Sequence, residues 1–526
     1  MGKLSILVFL PVAAMLPVLL VPARRSGWLR WIALAACLAQ TGLALSLIPA
    51  AGSGPWLLVE QAPWLDLSLG SAGSLRVEYL LALDGISLAL VLLTSLMMSI
   101  AVLASWQQMQ RPKAYFLLLL LLDCSLVGVF LAMDFLLFFI FYELMLLPMF
   151  FLIGLWGGER REYAAIKFFI YTLAGSVFML LVLAGVMFSY SAGGAGGETV
   201  YTLNLLQITG TGAGGQAAEL LSGSVFAPGQ TILGLDARLL GFWVLLIAFA
   251  IKLPAVPLHT WLPDAHVEAP TPVSVILAGV LLKVGGYGLI RICYGLFPDA
   301  GVAMSGWVAG IGVTGMLYGA LVAMAQTDLK RMVAYSSVSH MGYVLLGLAS
   351  LEAAGVYGAV FQLVAHGLVS AMLFLIAGVL YDRVHDRQIA NFGGLWELMP
   401  RYAFVTLIGF FAALGLPGLC AFVAELLVYL GAFSSERIPV IYPALGVLSI
   451  VLGAAYFLRA YRQLFFGVFD PGKTSAWRDK LTDLTPREYL MLIPLALLIF
   501  WLGIYPGPAL ERLEAPVQAW LAWVLG

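Results

Sequence analysis

The sequence predicts an all-α, polytopic membrane protein of about 14 transmembrane helices. Composition is the first ground. The 526 residues are 62% hydrophobic and only 10% charged, whereas soluble chains carry about 25% charged residues. Patterning is the second. Apolar runs of about 20 residues recur from end to end, each able to cross a hydrocarbon core of roughly 30 Å. The third is charge, because lysines and arginines collect in alternate loops. The period-two alternation of a transmembrane barrel is absent.

Taken in order, the spans fall at about 4–22, 29–48, 80–105, 114–132, 134–155, 163–190, 239–262, 271–296, 303–325, 330–349, 355–381, 402–432, 440–466 and 488–506. The first, within "LSILVFLPVAAMLPVLLVPARR", has its arginines after the apolar run and only Lys3 before it. It therefore reads as a membrane helix rather than a signal peptide. Sixteen Lys/Arg lie in the loops after the odd-numbered spans, among them Arg24, Arg160, Lys330, Arg383 and Lys473, against six on the opposite side. The positive-inside rule then puts both termini on the non-cytoplasmic side, most simply of a bacterial inner membrane. The insertion 190–238, rich in Gly, Ser and Thr, lies on that outer side and reads as a surface loop or subunit contact. The C-terminal segment, with Trp501, Trp520 and Trp523, is expected along the interface, where tryptophan is favoured.

Some partners are disfavoured at once. A net charge of −1 without a basic cluster argues against nucleic acid. The four cysteines, Cys37, Cys124, Cys293 and Cys420, are far apart and read as apolar filler. Neither an iron–sulfur pattern nor a metal-binding motif is expected, and there is no nucleotide loop.

Against this apolar ground a few ionisable groups stand out: Lys167, Lys252 and Lys283, Asp123, Glu143 and Glu425, and His340 and His366. Each central Lys or Asp costs roughly 2.5–3.5 kcal/mol to insert, so it must face protein or water, and such residues are by default candidates for ion or proton paths. Arg459 and Arg462 lie near a span end and can snorkel. In "LLIAFAIKLPAVPLHTWLPDAH" (245–266), Pro254 and Pro257 follow Lys252 directly. Prolines remove backbone donors, and the freed carbonyls are tolerated at depth only beside protein or a wet cavity. His259 would lie about 10 Å beyond Lys252 on the same face of an ideal helix. "FFAALGLPGLCAFVAELLVYL" (410–430) repeats the grammar with Gly415, Pro417 and Gly418 ahead of Glu425.

Spans 4–8 and 9–13 thus each hold five helices with the fourth broken. An odd number makes the second copy enter from the opposite side, which is an inverted repeat, with sites near the breaks. The expected divisions are 1–113 (spans 1–3), 114–296 (first repeat), 303–466 (second repeat) and 467–526 (span 14 and the interfacial segment).

The stretches "FFIFYELMLLPMFFLIGLWGG" (138–158), "IKLPAVPLHTWLPDAHVEAPTPVSVILAGVLLKVGGYGLIR" (251–291), "DLKRMVAYSSVSHMGYVLLG" (328–347) and "FQLVAHGLVSAMLFLIAGVLYDR" (361–383) carry a resemblance. They resemble the antiporter-like, proton-translocating membrane subunits of respiratory complex I, and most closely the M-type branch, which has glutamate on span 12. The resemblance implies that Glu143 pairs with Lys252, that Lys283 joins two half-channels, and that Glu425 exchanges protons with the outside. It also places His340 and His366 on a central polar axis; Asp123, Lys167 and His259 remain path candidates from their positions in the spans alone. It implies no cofactor in this chain. NADH, FMN, iron–sulfur clusters and quinone are expected in partner subunits, and neighbouring antiporter-like and small membrane subunits are expected beside it. Two departures are visible: Tyr142 stands where the family usually has Trp, and Leu419, Cys420 and Ala421 stand where small polar residues are usual. A multisubunit Mrp-type Na⁺/H⁺ antiporter and an energy-converting hydrogenase are the rival transport readings. A structural scaffold is the third, and it would gain nothing from buried lysines.

Overall fold

The computed structural model describes residues 2–22, 24–49, 55–108, 110–193, 199–212, 217–468 and 477–526. Lys473 and parts of the glycine-rich insertion, 194–198 and 213–216, lie outside the described residues. The helices, in chain order, begin with α1 (Lys3–Leu20), α2 (Ser26–Ser46), α3 (Gly85–Ala104), α4 (Pro112–Leu131), α5 (Phe135–Leu144), α6 (Leu146–Trp156) and α7 (Arg161–Val186). Next come α8 (Ala237–Lys252), α9 (Trp261–Glu268), α10 (Thr271–Leu296, with two π-helical turns), α11 (Ser305–Met324), α12 (Leu329–Ser350) and α13 (Ala353–Val384). The last are α14 (Pro400–Ala413), α15 (Cys420–Ser434), α16 (Ile441–Phe465), α17 (Pro486–Ile504) and α18 (Gly507–Leu525).

Among the described residues, 12 helices are long and apolar enough to cross a membrane, α5 and α6 counting as one. The other two expected crossings are each made of paired shorter helices, α8 with α9 and α14 with α15. The protein is an integral, multi-pass membrane protein. Buried α10, α12 and α13 form the centre, while α1, α7 and α16 show much of their surface outward.

Helix starts follow capping chemistry. Asp84, Asp134, Asp236 and Asp328 each accept backbone amides of the first turn of α3, α5, α8 and α12, satisfying donors with no intrahelical partner. Thr485 and Glu488 form a reciprocal capping box on α17. Small residues allow close helix contact: a Cβ on Gly342 of α12 would lie 2.4 Å from the Gly312 carbonyl of α11.

A small sheet accompanies the helices. Strands β1 (Leu58–Ser68) and β2 (Ser74–Leu83) form an antiparallel hairpin, extended by three short strands into a five-stranded sheet. The apolar run expected to begin the third span at 80 is therefore strand up to Leu83, and the helix starts only after Asp84. The sheet is tied to the bundle. Glu60 of β1 accepts the amides of Leu4 (2.7 Å) and Ser5 (3.0 Å) at the start of α1, where a carboxylate suits the helix dipole. Asn204 in the insertion donates to Glu78 of β2 at 2.5 Å. The C-terminal tryptophans tie the chain end to the bundle: the indoles of Trp520 and Trp523 donate to the Ile290 and Gly295 carbonyls of α10 at 2.9 Å each.

Candidate functional site

The two helix breaks bring the site together. At the first, Pro254 and Pro257 have no amide to donate, so carbonyls at the end of α8 lose their helical partners. The structure replaces them. Ala255 N donates to the Ala250 carbonyl (2.9 Å), and the buried Trp261 indole donates to the Ile251 carbonyl (2.8 Å). The helix therefore stops at Lys252, which is buried at the break. At the second break, Gly415 and Gly418 take φ values of +74° and +92°, backbone that favours glycine. A Cβ at Gly415 would stand 2.6 Å from Glu425 Oε2. Glycine is thus favoured there by the turn, and the Glu425 carboxylate lies close against it.

Lys252 and Glu143 do not form a direct ion pair. Lys252 Nζ lies 4.1 Å from the centre of the Tyr142 ring. Neither that ammonium nor Glu143 Oε1 has a hydrogen-bond partner among the described residues, although the glutamate's charge acts on the lysine. An aromatic face holds a desolvated cation by about 2 kcal/mol. The residue that departs from the family's usual Trp thus lies directly against the lysine.

Lys283, in α10, heads a continuous series of contacts. It donates to the Ala278 carbonyl within a π-helical turn and lies 2.8 Å from His366 Nδ1 of α13. The His366 and His340 rings are 5.6 Å apart. His340 Nδ1 of α12 lies 3.6 Å from Glu425 Oε1 of α15. Gln362, also buried, approaches His340 at 3.5 Å. A small cavity of about 10 Å³ touches His340, Gln362 and His366 and is closed by Ala413 and Ala421 at the second break, a volume of about one water. One turn after Glu425, the ring of Tyr429 meets that of Tyr343 edge to face with centroids 5.6 Å apart, and the Tyr343 hydroxyl shares a 2.9 Å hydrogen bond with Ser449. No hydrogen bond bridges Lys252 to Lys283 among the described residues. Their helices are nonetheless in contact, since Leu253 abuts Gly285.

The remaining candidates lie elsewhere. Lys167, near the start of α7, is paired with Asp264 of α9 at 2.7 Å. Asp123 faces Cys37 of α2, with Sγ–Oδ2 at 3.8 Å, on the α4 side of the bundle. His259 is not stacked over Lys252 on a shared helix face, because the helix ends first. Its ring meets Tyr318 of α11 at 5.1 Å and Tyr335 of α12 at 6.2 Å.

Sequence reasoning missed Gln362, Tyr343, Ser449 and His266, and took Lys330 for a loop cation although it is buried at the start of α12. For Gln362 the signal was available, a lone amide inside an otherwise apolar helical run. Among the described residues, no group of three or more His, Cys, Asp or Glu could hold a metal ion. The chemistry the site offers is proton exchange between buried amine, imidazole and carboxylate groups.

Known proteins share this sequence and fold. The NADH-quinone oxidoreductase subunit M of Rhodobacter capsulatus is 39% identical over 515 residues, covering 96% of this chain and 93% of that one. A chain of respiratory complex I from Thermus thermophilus, solved with bound NADH, superposes with a TM-score of 0.82 at 29% identity, covering 99% of this chain and all of that one. A chain of the Mrp complex from Dietzia sp. DQ12-45-1b shares the fold (TM-score 0.78, complete coverage of both chains) at 22% identity. Residues 132–453, which hold both breaks and the whole contact series, match the family model described as NADH:quinone oxidoreductase/Mrp antiporter, TM. With that match spanning more than half its length, the chain belongs to the NADH:quinone oxidoreductase/Mrp antiporter transmembrane family.

Proposed function

We propose that this chain is the M-type membrane-arm subunit of a proton-translocating NADH:quinone oxidoreductase, moving H⁺ through a buried relay driven by quinone reduction in other subunits. The observation that carries the reading is the run of contacts from Lys283 through His366 and His340 to Glu425. It crosses from the helices of the first five-helix set into the second, which we read as inverted repeats over 114–296 and 303–466. Glu143 and Lys252 form the upstream pair, with Tyr142 holding the ammonium while Glu143 stands off. Moving or neutralising Glu143 weakens the hold on the lysine's proton and sends it toward Lys283. A bound water completes the step, because no direct hydrogen bond spans that gap. Glu425 then releases the proton outward past Tyr429 and Tyr343.

Lys167 and Asp123 belong outside this relay in the same reading, the first as a structural ion pair and the second as a buried acid of the α2–α4 packing. NADH, FMN, iron–sulfur clusters and quinone belong to partner subunits, and both termini lie on the non-cytoplasmic side. Identity favours this reading over an Mrp-type antiporter, since the subunit M relative is far closer in sequence than the Mrp chain.

Replacing Lys252 with Ala in the assembled complex tests the assignment. Complex assembly and its peripheral redox chemistry are expected to survive, while protons moved per electron fall. An undiminished ratio refutes the role of Lys252.

A further inference from the structure

The broken span formed by α14 and α15 lies beside an intact helix, α17. Just before α17, the Asp483 carboxylate accepts the amides of Arg401 (3.0 Å) and Tyr402 (2.9 Å), in the first turn of α14. Those donors have no partner within their own helix. At the other end of α17, Gly503 meets the break itself. A Cβ built there would strike the Gly418 carbonyl oxygen and Leu419 Cα, and would lie 2.5 Å from the Leu419 carbonyl carbon. Leu419 is the residue from which α15 starts. Arg401 to Leu419 and Asp483 to Gly503 are stretches of nearly equal length. The intact helix therefore runs alongside the broken one and touches it at the start of each half.

A break removes the hydrogen bonds that stiffen a helix, so α14 alone cannot fix where α15 begins. Pro417 lacks one such donor, and Gly415 and Gly418 hold left-handed backbone. α15 carries Glu425, whose Oε1 lies 3.6 Å from His340 Nδ1. A small shift at Leu419 opens or closes that contact. Glycine weakens a helix interior, yet at Gly503 only a bare Cα lets α17 reach the break. Arg383 of α13 fixes the other end of α17. It donates to both oxygens of Glu488 and to the carbonyls of Thr482 (2.6 Å) and Asp483 (3.1 Å). The helix that carries His366 thus also anchors α17.

We propose that α17 is a splint for the broken span: Asp483 and Gly503 are positioning residues that hold its two halves and so set the Glu425 carboxylate against His340. The inference rests on the relay reading above.

The test uses the assembled complex. Its readouts are protons per electron in sealed vesicles and the infrared carboxyl band of Glu425 during turnover. Gly503→Ala must push Leu419 away by roughly 0.9 Å to regain ordinary contact, and a displacement of about 1 Å can slow a step about 100-fold. The ratio is expected to fall toward that of Glu425→Gln, and the band to change frequency. In a Glu425→Gln background the same substitution is expected to lower the ratio no further. Gly507→Ala, with nothing within 4 Å of the added Cβ, is the unaffected control. Asp483→Ala tests the far end of the splint and is expected to move the band, whereas Asp483→Asn keeps an acceptor oxygen and leaves it in place. A normal ratio and an unmoved band in Gly503→Ala, beside a lowered ratio in Glu425→Gln, overturn the splint and leave the relay standing. A lowered ratio with an unmoved band, or a further fall in the double variant, marks general damage and also overturns the splint. Normal ratios in both single variants overturn the relay itself. If Gly503→Ala fails to assemble, Asp483→Ala decides, and an unmoved band there overturns the proposal.

Discussion

Gly285 sits where the end of α8 meets α10, two residues after Lys283 and against the residue that follows Lys252. A Cβ built on Gly285 would lie 2.6 Å from Leu253 N, 2.8 Å from the Phe249 carbonyl oxygen and 3.0 Å from Leu253 Cα. Those are the atoms of the last helical hydrogen bond before the break, Leu253 N to Phe249 O at 2.8 Å. Ordinary contact begins at 3.4 Å, so Gly285→Ala must push the end of α8 back by roughly 0.8 Å. Overpacking of this kind costs about 1–3 kcal/mol. The functional cost is expected to exceed the structural one, because Lys252 moves with Leu253 and a displacement near 1 Å can cost about 100-fold. Gly453→Ala is the control. Nothing lies within 4 Å of its Cβ, and alanine there favours the helix by up to about 1 kcal/mol. Native-gel yield and the thermal midpoint of the complex report stability, and protons per electron in sealed vesicles report function. The expected pattern is a modestly destabilised, assembled Gly285→Ala complex with a clearly lowered ratio and an unaffected Gly453→Ala. A Gly285→Ala complex with normal stability and a normal ratio would refute the close-contact reasoning.

Other consequences are equally direct. Tyr142→Trp retains an aromatic face under Lys252 and should preserve pumping, whereas Tyr142→Leu removes an interaction of about 2 kcal/mol and should lower the proton-to-electron ratio. Arg383 grips both oxygens of Glu488 at 2.9 Å in a largely buried site, so Arg383→Met strands a carboxylate at a cost of about 3–5 kcal/mol, seen as loss of membrane-inserted protein. Burial pushes the Asp299 carboxyl up, but the hydrogen bond and charge of Arg238 outweigh it and leave it below the ordinary carboxylate value. This contribution is full above the unfolded value near 4 and is lost as pH falls through the lowered folded one. Arg238→Gln should therefore alter stability at neutral pH and lose its effect in strong acid, measured by thermal unfolding across pH. Asp123→Asn, distant from the contact series, should leave pumping intact in the same vesicle assay.

The span count was legible because insertion energetics write themselves into hydropathy, and two proline-marked breaks were legible because a missing amide is visible in the residue itself. The hairpin was not. "VEYLLAL" is apolar enough to merge with the helix that follows, and only the cap at Asp84 separates them. Charges were read as positions rather than partners. That left Lys167 without Asp264, which sits 97 residues away, and left Lys330 in a loop. Lys252 shows the same limit. Its burial followed from the sequence, but its contact with Tyr142 instead of Glu143 depends on where α5 meets the end of α8. His266 was passed over because a histidine near a helix end reads as solvated until the structure packs it on Phe374.

The central claim is that Glu425, nested at the second break, gains and loses a proton in every cycle. Infrared difference spectroscopy of the complex during quinone reduction tests it most directly. The account predicts a carboxyl C=O band that shifts in D₂O and vanishes in Glu425→Gln. A turnover spectrum in which no carboxyl band depends on Glu425 contradicts it.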